Sequence, residues 1–261
     1  MEEITKHPNN TFCWVDLATI GVEDSKKFYK AIFNWDYVDE PAGEGMVYTM
    51  CMINNKPVAA IYEMLEDQKK MGLPPYWLPY INIENVNATA EKVNSSGGSV
   101  IAPPMDVSDN GRMSVVQDPT GAVFAVWQPN KSIGAAYKNV PGSLCWVELG
   151  VFDIAKPKQF YSEVFGWSGK TEKMGESDYT TFFFSDKPED MAAGMYQMTK
   201  EMKDIPPHWL TYFMVAKTAD TLEIIKKHNG AVLMGPMNIP GIGTFAVIRD
   251  PQGGVFGIIG E

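Results

Sequence analysis

The chain contains one sequence pattern twice, at an offset of 132 residues. Residues 12–17, Phe-Cys-Trp-Val-Asp-Leu, correspond to 144–149, Leu-Cys-Trp-Val-Glu-Leu. Near the end of each copy, residues 115–126 and 247–258 agree at six of twelve positions. An offset that persists along the whole chain indicates two copies of one folding unit. The repeat is therefore the feature that most constrains the fold.

Each copy has a simple internal order of strands and helices. Strand-like stretches at 12–19 and 144–151 are each followed by apolar residues at helical spacing and then by stretches rich in Val, Tyr, Thr and Phe. The pattern restarts at Trp77 within the first copy. The segment 129–143, which has Pro and Gly near both ends, is typical of a linker. We predict two domains, at 10–129 and 142–261.

Several motifs that occur in both copies resemble a known family. Phe28-Tyr29 with Phe33-Asn34-Trp35, and the turn Asp118-Pro119-Thr120-Gly121, are similar to motifs of the vicinal oxygen chelate superfamily, which holds glyoxalase I, extradiol dioxygenases and bleomycin-resistance proteins. Trp14-Val15-Asp16-Leu17 and Gly111-Arg112 further resemble a two-domain, glyoxalase-like or hydroxylase-like subgroup. The resemblance implies an α+β fold of tandem glyoxalase-like domains. Four βαβββ modules would form two curved mixed sheets, each around a cavity.

The resemblance also implies where a divalent metal would bind. Metal enzymes of this superfamily carry His, Gln or Glu on the first strand of a module and Glu on the last, because a metal needs lone pairs on nitrogen or oxygen. In this chain those positions hold side chains that cannot act as ligands: Trp14, Leu78, Ala125, a residue of 58–61, and in the second copy Trp146, Leu210, Gly257 and 192–195. We predict no metal and no other cofactor.

Strand alternation predicts which side chains line the cavities, because residues two apart share a face. If position 14 points inward, alternation also turns Phe12 and, in the second copy, Leu144 inward. The predicted ligand-binding residues are Trp14, Tyr76, Tyr80, Asn82, Trp127, Trp146 and Tyr212, with Arg112 closing one end of the first cavity. The predicted catalytic residues are Asp16, Glu148 and His208. Aromatic walls with few polar groups are typical of a small-molecule site.

The sequence leaves three functions open. The first is a bleomycin-resistance-type protein that binds a small organic molecule in an aromatic cavity without the metal. The second is a glyoxalase-like lyase or hydroxylase that uses Asp16, or Glu148 with His208. The third is a structural or interaction protein in which Trp14 and Trp146 plug the cavities, since large aromatic residues mostly serve packing.

Composition narrows the possible partners. The net charge is −10 and the pI is about 4.9, which disfavours binding to nucleic acid or to an anionic membrane surface. The sequence has no apolar run of about 18 residues that would span a bilayer. Three cysteines without a Cys-x-x-Cys pair indicate a reducing cytoplasm rather than a disulfide framework. We expect a small-molecule ligand as the partner, and a monomer or a homodimer.

Overall fold

The structure is a computed structural model that describes residues 2–43, 45–174 and 177–261. The elements of the first half are β1 (Phe12–Thr19), α1 (Val22–Phe33), β2 (Asp36–Pro41), β3 (Val47–Ile53), β4 (Lys56–Glu63), α2 (Glu66–Lys70), β5 (Tyr76–Asn82), α3 (Val86–Ser95), β6 (Ser99–Val107), β7 (Gly111–Gln117) and β8 (Val123–Pro129). Those of the second half are β9 (Leu144–Val151), α4 (Ala155–Phe165), β10 (Ser168–Met174), β11 (Ser177–Phe183), β12 (Met191–Gln197), a 3₁₀ turn (Lys200–Met202), β13 (His208–Met214), α5 (Thr218–Lys227), β14 (Ala231–Ile239), β15 (Gly243–Arg249) and β16 (Val255–Gly260).

Each half forms one eight-stranded sheet with the same strand order. The first runs β2-β3-β4-β1-β5-β8-β7-β6, and the second runs β10-β11-β12-β9-β13-β16-β15-β14. Each sheet is mixed: β1 pairs in parallel with β4 and antiparallel with β5, and β9 repeats this between β12 and β13. The predicted α+β class and the four βαβββ modules are thereby confirmed.

The helices cover one face of each sheet because their apolar residues lie on one side. In α1 that side carries Phe28, Tyr29 and Phe33, all buried. The helix ends at Asn34, which adopts the left-handed conformation (φ 57°), and α4 ends likewise at Gly166 (φ 71°). Asn and Gly tolerate that conformation best, which explains why these residues end the helices.

The two halves pack against each other through these helix-bearing faces. Rings from both halves meet there: the ring centroids of Phe12 and Trp209 are 5.1 Å apart, and those of Trp77 and Phe213 are 4.9 Å apart. Burial of many aromatic rings on both sides contributes much of the driving force for folding. The faces turned away from the helices remain on the outside of this shared core.

The repeated Asp-Pro turns hold the halves together by hydrogen bonds. Tyr29 in α1 donates its hydroxyl to Asp250 Oδ2 (2.8 Å) and accepts from Trp77 Nε1 (3.1 Å). Tyr161 makes the corresponding pair with Asp118 Oδ2 (2.9 Å) in the opposite direction. The motifs that signalled the family therefore join one half to the other.

A β-bulge in the first strand of each half corrects one prediction. The pairing of β1 with β5 shifts between Phe12 and Trp14, so Cys13 is an extra residue, and Cys145 is the extra residue of β9. A bulge reverses the alternation of side chains beyond it. Phe12 and Leu144 were predicted to face the cavities but lie in the shared core instead.

No helix within the described ranges is both long and apolar enough to cross a membrane.

Candidate functional site

The candidate site is the sheet face turned away from the helices, present once in each half. In the first half this face carries Trp14, Asp16, Leu78 and Tyr80, and we call it the first hollow. The same face of the second half is the second hollow, and it carries the equivalent residues Trp146, Glu148, Leu210 and Tyr212. Asp16 lies on the central strand β1, where it pairs with Ala60 of β4 and Leu78 of β5. Glu148 lies on β9 between Gly194 and Leu210. The two predicted carboxylates thus occupy the middle of their sheets.

In the first hollow, the polar groups of aromatic side chains form a series of hydrogen bonds that ends at the Asp16 carboxylate. Tyr80 and Tyr48 each donate their hydroxyl to Asp16 Oδ2, at 2.7 and 2.9 Å. Trp14 Nε1 donates to the Tyr48 hydroxyl at 2.9 Å, which leaves that hydroxyl hydrogen free for Asp16. Asp16 Oδ1 is buried and has no hydrogen-bond partner among the described residues.

The environment of Asp16 favours its neutral form. Only 1% of the residue is exposed. Burial raises the pKa of Asp16 to about 7, against the opposing effect of the Tyr80 and Tyr48 hydroxyls, which stabilise the carboxylate. A carboxyl with such a pKa changes its charge near neutral pH and can take up or release a proton there.

The second hollow repeats this network around Glu148. Tyr212 donates its hydroxyl to Glu148 Oε2 at 3.0 Å. Trp146 Nε1 donates to the Tyr179 hydroxyl at 3.1 Å, and the Tyr179 hydroxyl stabilises the Glu148 carboxylate. Burial raises the pKa of Glu148, and the two tyrosine hydroxyls oppose that rise. The order Trp, Tyr, carboxylate, Tyr is therefore common to both halves.

Two glycines of the second sheet make room for these tyrosine rings. A Cβ at Gly257 would lie 2.1 Å from Tyr212 Cδ1, and a Cβ at Gly194 would lie 2.0 Å from the Tyr179 hydroxyl. Such distances are far inside van der Waals contact, so any larger residue would displace the rings. The rings that hold Glu148 thus lie directly against the backbone of β12 and β16.

The other predicted residues of the first hollow have different roles. Tyr76 stands at its rim and accepts a hydrogen bond from Gln68 Nε2 at 2.7 Å. Trp127 lies in the hollow, and its Nε1 donates to the Ser132 carbonyl at 2.9 Å. The Asn82 amide donates to the carbonyls of His7 (3.0 Å) and Pro8 (3.2 Å), so it anchors the N-terminal segment.

Arg112 does not reach the hollow, contrary to prediction. It pairs with Gln128, whereas the neighbouring pair Met113 and Trp127 faces the hollow. Because alternate residues of a strand point to opposite faces, Arg112 points away from Asp16. It makes an ion pair with Asp106 instead.

His208 lies at the rim of the second hollow and forms no hydrogen bond with Glu148. It pairs with Gly150, two residues along the strand from the Glu148–Leu210 pair. Its Nδ1 is 2.9 Å from the Pro206 carbonyl, and because a carbonyl only accepts, Nδ1 carries the hydrogen. Burial lowers the pKa of His208, which favours the neutral ring. The structure therefore does not form the predicted acid–base pair.

A known family matches both halves of the chain. The family model described as Glyoxalase/Bleomycin resistance protein/Dioxygenase superfamily matches residues 11–126 and 143–257. The chain belongs to this superfamily. The resemblance predicted from the repeated motifs is thereby confirmed.

Relatives and solved structures within the superfamily match almost the whole chain. Putative glyoxylase CFP32 of Mycobacterium bovis is 36% identical over 260 residues, which cover 99% of this chain and 98% of that protein. Anthracycline biosynthesis protein DauV of Streptomyces sp. (strain C5) is 32% identical, and the match covers 94% of this chain and 91% of that protein. The Mn(II)-bound glyoxalase from Novosphingobium aromaticivorans has a TM-score of 0.67 at 15% identity and covers 97% of this chain and 82% of that one, which supports the fold alone.

The superfamily metal does not fit the residues of either hollow. The expected ligand positions hold indole, isobutyl and methyl groups or hydrogen, none of which donates a lone pair to a divalent ion. Within the described ranges, no three His, Cys, Asp or Glu side chains are grouped so as to hold a metal. Each hollow offers one carboxylate, which already accepts tyrosine hydroxyls. That the protein holds no metal stays a prediction, here supported by the donor set.

Sequence reasoning missed the tyrosines that complete both networks. Tyr48 and Tyr179 are equivalent in the structure, yet they are 131 residues apart rather than 132. A fixed offset therefore aligns Tyr48 with Thr180 and hides the match. Tyr62 and Tyr196 pair across the strands with Tyr48 and Tyr179, and they lie 134 residues apart. A repeat alignment that allowed gaps would have found both pairs.

Proposed function

We propose that this protein binds a small organic molecule in the hollow of a curved sheet, without a metal ion held by the chain. The single observation that carries the proposal is the repeated network of Trp, Tyr, carboxylate and Tyr. It puts one polar, hydrogen-bonding group in the middle of an aromatic surface, which is the usual composition of a small-molecule site. The same residues offer too few donors for a catalytic metal, which generally needs three protein ligands.

The relatives support an aromatic ligand. Two of them, from Streptomyces sp. (strain C5) and Streptomyces peucetius, are named for anthracycline biosynthesis and are each 32% identical to this chain. Anthracyclines are planar polycyclic compounds, and indole and phenol rings stack well on planar ligands. A planar molecule of that kind suits walls made by Trp146, Tyr179 and Tyr212 in this chain.

Metal analysis combined with a ligand screen tests the proposal. Protein purified without chelator is analysed for bound metals, and a thermal-shift screen of planar aromatic compounds is run before and after EDTA treatment. We expect far less than one metal ion per chain and the same stabilising compounds in both screens. A stoichiometric Zn, Ni, Mn or Fe that is lost in Glu148→Gln, or stabilisation that disappears with EDTA, would overturn the proposal.

A second candidate function is proton-transfer catalysis without a metal. Burial raises the pKa of Asp16 to about 7, and a carboxyl that titrates near neutral pH is an effective general acid or base. Burial also raises the pKa of Glu148. A relative is named a putative glyoxylase. The test is turnover of the hemithioacetal of methylglyoxal and glutathione in the presence of EDTA. Activity that persists with EDTA and is lost in Glu148→Gln favours the enzyme, and absence of turnover counts against this reaction.

A further inference from the structure

The two hollows differ in how far solvent reaches their carboxylates. Asp16 is 1% exposed and Trp14 is 8% exposed, so the carboxyl group of the first network is covered, although Tyr48 is half-buried. Glu148 and Trp146 are both half-buried, and Glu148 has no orphaned buried oxygen of the kind seen at Asp16. The residue that carries the second carboxylate is therefore partly exposed to solvent, whereas the one that carries the first is covered.

Residue size at matched strand positions explains the difference. Smaller side chains line the second hollow at four such positions: Thr181 for Met50, Gly194 for Ala60, Gly257 for Ala125 and Ile259 for Trp127. The last exchange removes an indole that packs with Trp14 and Tyr80 in the first hollow. Two exchanges go the other way. Glu148 replaces the shorter Asp16, and Phe245 replaces Met113, with its ring edge-on to Tyr212 and the centroids 6.2 Å apart.

The chemistry at Glu148 selects a group that donates a hydrogen bond. Tyr212 donates its hydroxyl to the carboxylate and the Tyr179 hydroxyl also stabilises it, and the remaining lone pairs of the carboxylate are acceptors. The rim residue His208 is held as a neutral ring. The strands that flank Glu148, namely β9, β12, β13 and β16, carry no Lys or Arg, and Arg249 lies exposed at the end of β15. An anionic group on a ligand would therefore meet a carboxylate without a neighbouring cation.

We propose that the second hollow is the ligand-binding one, and that it takes an aromatic compound through an N–H or O–H group donated to Glu148. The first hollow is then a closed copy that supports the fold. This inference rests on the proposed function and adds to it the half of the chain that binds and the class of ligand. An amine and a phenol would both satisfy the carboxylate, and they are separated by experiment.

A matched series of naphthalenes tests the ligand class by isothermal titration calorimetry. 2-Naphthylmethylamine and 2-naphthol carry a donor, 2-methylnaphthalene carries none, and 2-naphthoate carries an anion. We expect one equivalent to bind, with at least one donor compound bound about tenfold or more tightly than 2-methylnaphthalene, since a hydrogen bond to a charged group is worth at least that factor. The donor compound that binds more tightly shows whether Glu148 prefers an amine N–H or a phenol O–H. Equal binding of all four compounds would overturn the ligand class.

Paired variants test the choice of hollow. Glu148→Gln should remove the preference for donor compounds, while the matched Asp16→Asn should leave it unchanged. Ile259→Trp gives the second hollow the indole that Trp127 provides in the first, and it should abolish ligand binding. The reverse exchange, Trp127→Ile, should not weaken ligand binding. Circular dichroism and thermal melting of each variant establish that it is folded.

The outcomes separate this inference from the proposed function. Binding that survives in Glu148→Gln and Ile259→Trp but is lost in Asp16→Asn would move the site to the first hollow, which overturns the inference and leaves the proposed function standing. Two equivalents bound per chain would have the same consequence. Absence of saturable binding for every probe up to about 1 mM, together with no hit in the thermal-shift screen, would overturn both.

Discussion

Replacing Asp16 by Asn tests whether the sealed carboxyl is held neutral by the fold. The pKa of Asp16 is about 7 in the folded chain, against an ordinary value of 3.8. Between these values the folded chain keeps a proton that the unfolded chain has lost, so the free energy of unfolding decreases as pH rises. The stabilising contribution is complete below pH 3.8 and is lost as the pH rises through 7. At about 1.4 kcal/mol per pH unit, the loss over this window is about 4 kcal/mol.

Urea denaturation of the wild type and of Asp16→Asn, followed by tryptophan fluorescence at intervals from pH 4 to pH 8, measures this loss. Groups other than Asp16 contribute equally to both proteins and cancel in the difference. We expect the free energy of unfolding of the wild type, relative to Asp16→Asn, to fall by about 4 kcal/mol across the range. Glu148→Gln is the matched control, and because Glu148 is half-buried its relative change should be smaller. A difference that is constant with pH, or that grows as pH rises, would refute the reasoning.

Three further predictions follow from single contacts. Tyr80→Phe removes a hydroxyl that stabilises the Asp16 carboxylate, so the midpoint of the Asp16 titration, measured by carbon NMR, should rise by about one pH unit. Gly257→Ala forces a methyl group into the Tyr212 ring, so urea denaturation should show a loss of about 1–3 kcal/mol. Tyr29→Phe removes the hydrogen bonds that the hydroxyl makes with Oδ2 of the buried Asp250 and with the buried indole N–H of Trp77, and the free energy of unfolding should fall by about 1–3 kcal/mol.

Matched positions provide the controls for these variants. Tyr212→Phe is the counterpart of Tyr80→Phe and should leave the Asp16 titration unchanged. Tyr161→Phe removes the equivalent contact between the halves and should cost about as much as Tyr29→Phe. An unchanged free energy of unfolding in both Tyr29→Phe and Tyr161→Phe would mean that these hydroxyls do not hold the halves together. A fully stable Gly257→Ala would mean that the Tyr212 ring is not confined against β16.

Prediction from the sequence succeeded where side-chain alternation is uninterrupted. Trp14, Asp16 and Tyr80 face the first hollow as expected, because β1 and β5 keep their register from position 14 onward. The prediction failed at Phe12, because the bulge at Cys13 reverses the alternation of side chains and directs Phe12 into the shared core. A bulge depends on hydrogen bonding with the neighbouring strand, and nothing in the local pattern of apolar residues signals it.

The tyrosines that complete the site could not be predicted, because they reach the carboxylates from other strands of the sheet. Tyr48 and Tyr179 come to their carboxylates from a strand two places away in the sheet order, β3 or β11. Tyr48 follows the first residue of β2 by 12 positions and Tyr179 follows the first residue of β10 by 11, so the repeat offset does not reveal that they are equivalent. Arg112 was predicted to close one end of the first cavity, but it lies on the opposite face of β7 from Met113, which faces the hollow.

Residue types and their spacing are enough to establish that the fold is repeated, that a carboxylate lies on the first strand of each half, and that the usual metal positions lack donors. These properties follow from residue type and spacing, which do not change on folding. Which hydroxyls bind each carboxylate, and how far each carboxylate residue is exposed, follow from the packing of the folded chain. Both depend on how side chains from distant segments fill the same space, as when Trp127 packs with Trp14 and Tyr80 where the second hollow has the smaller Ile259.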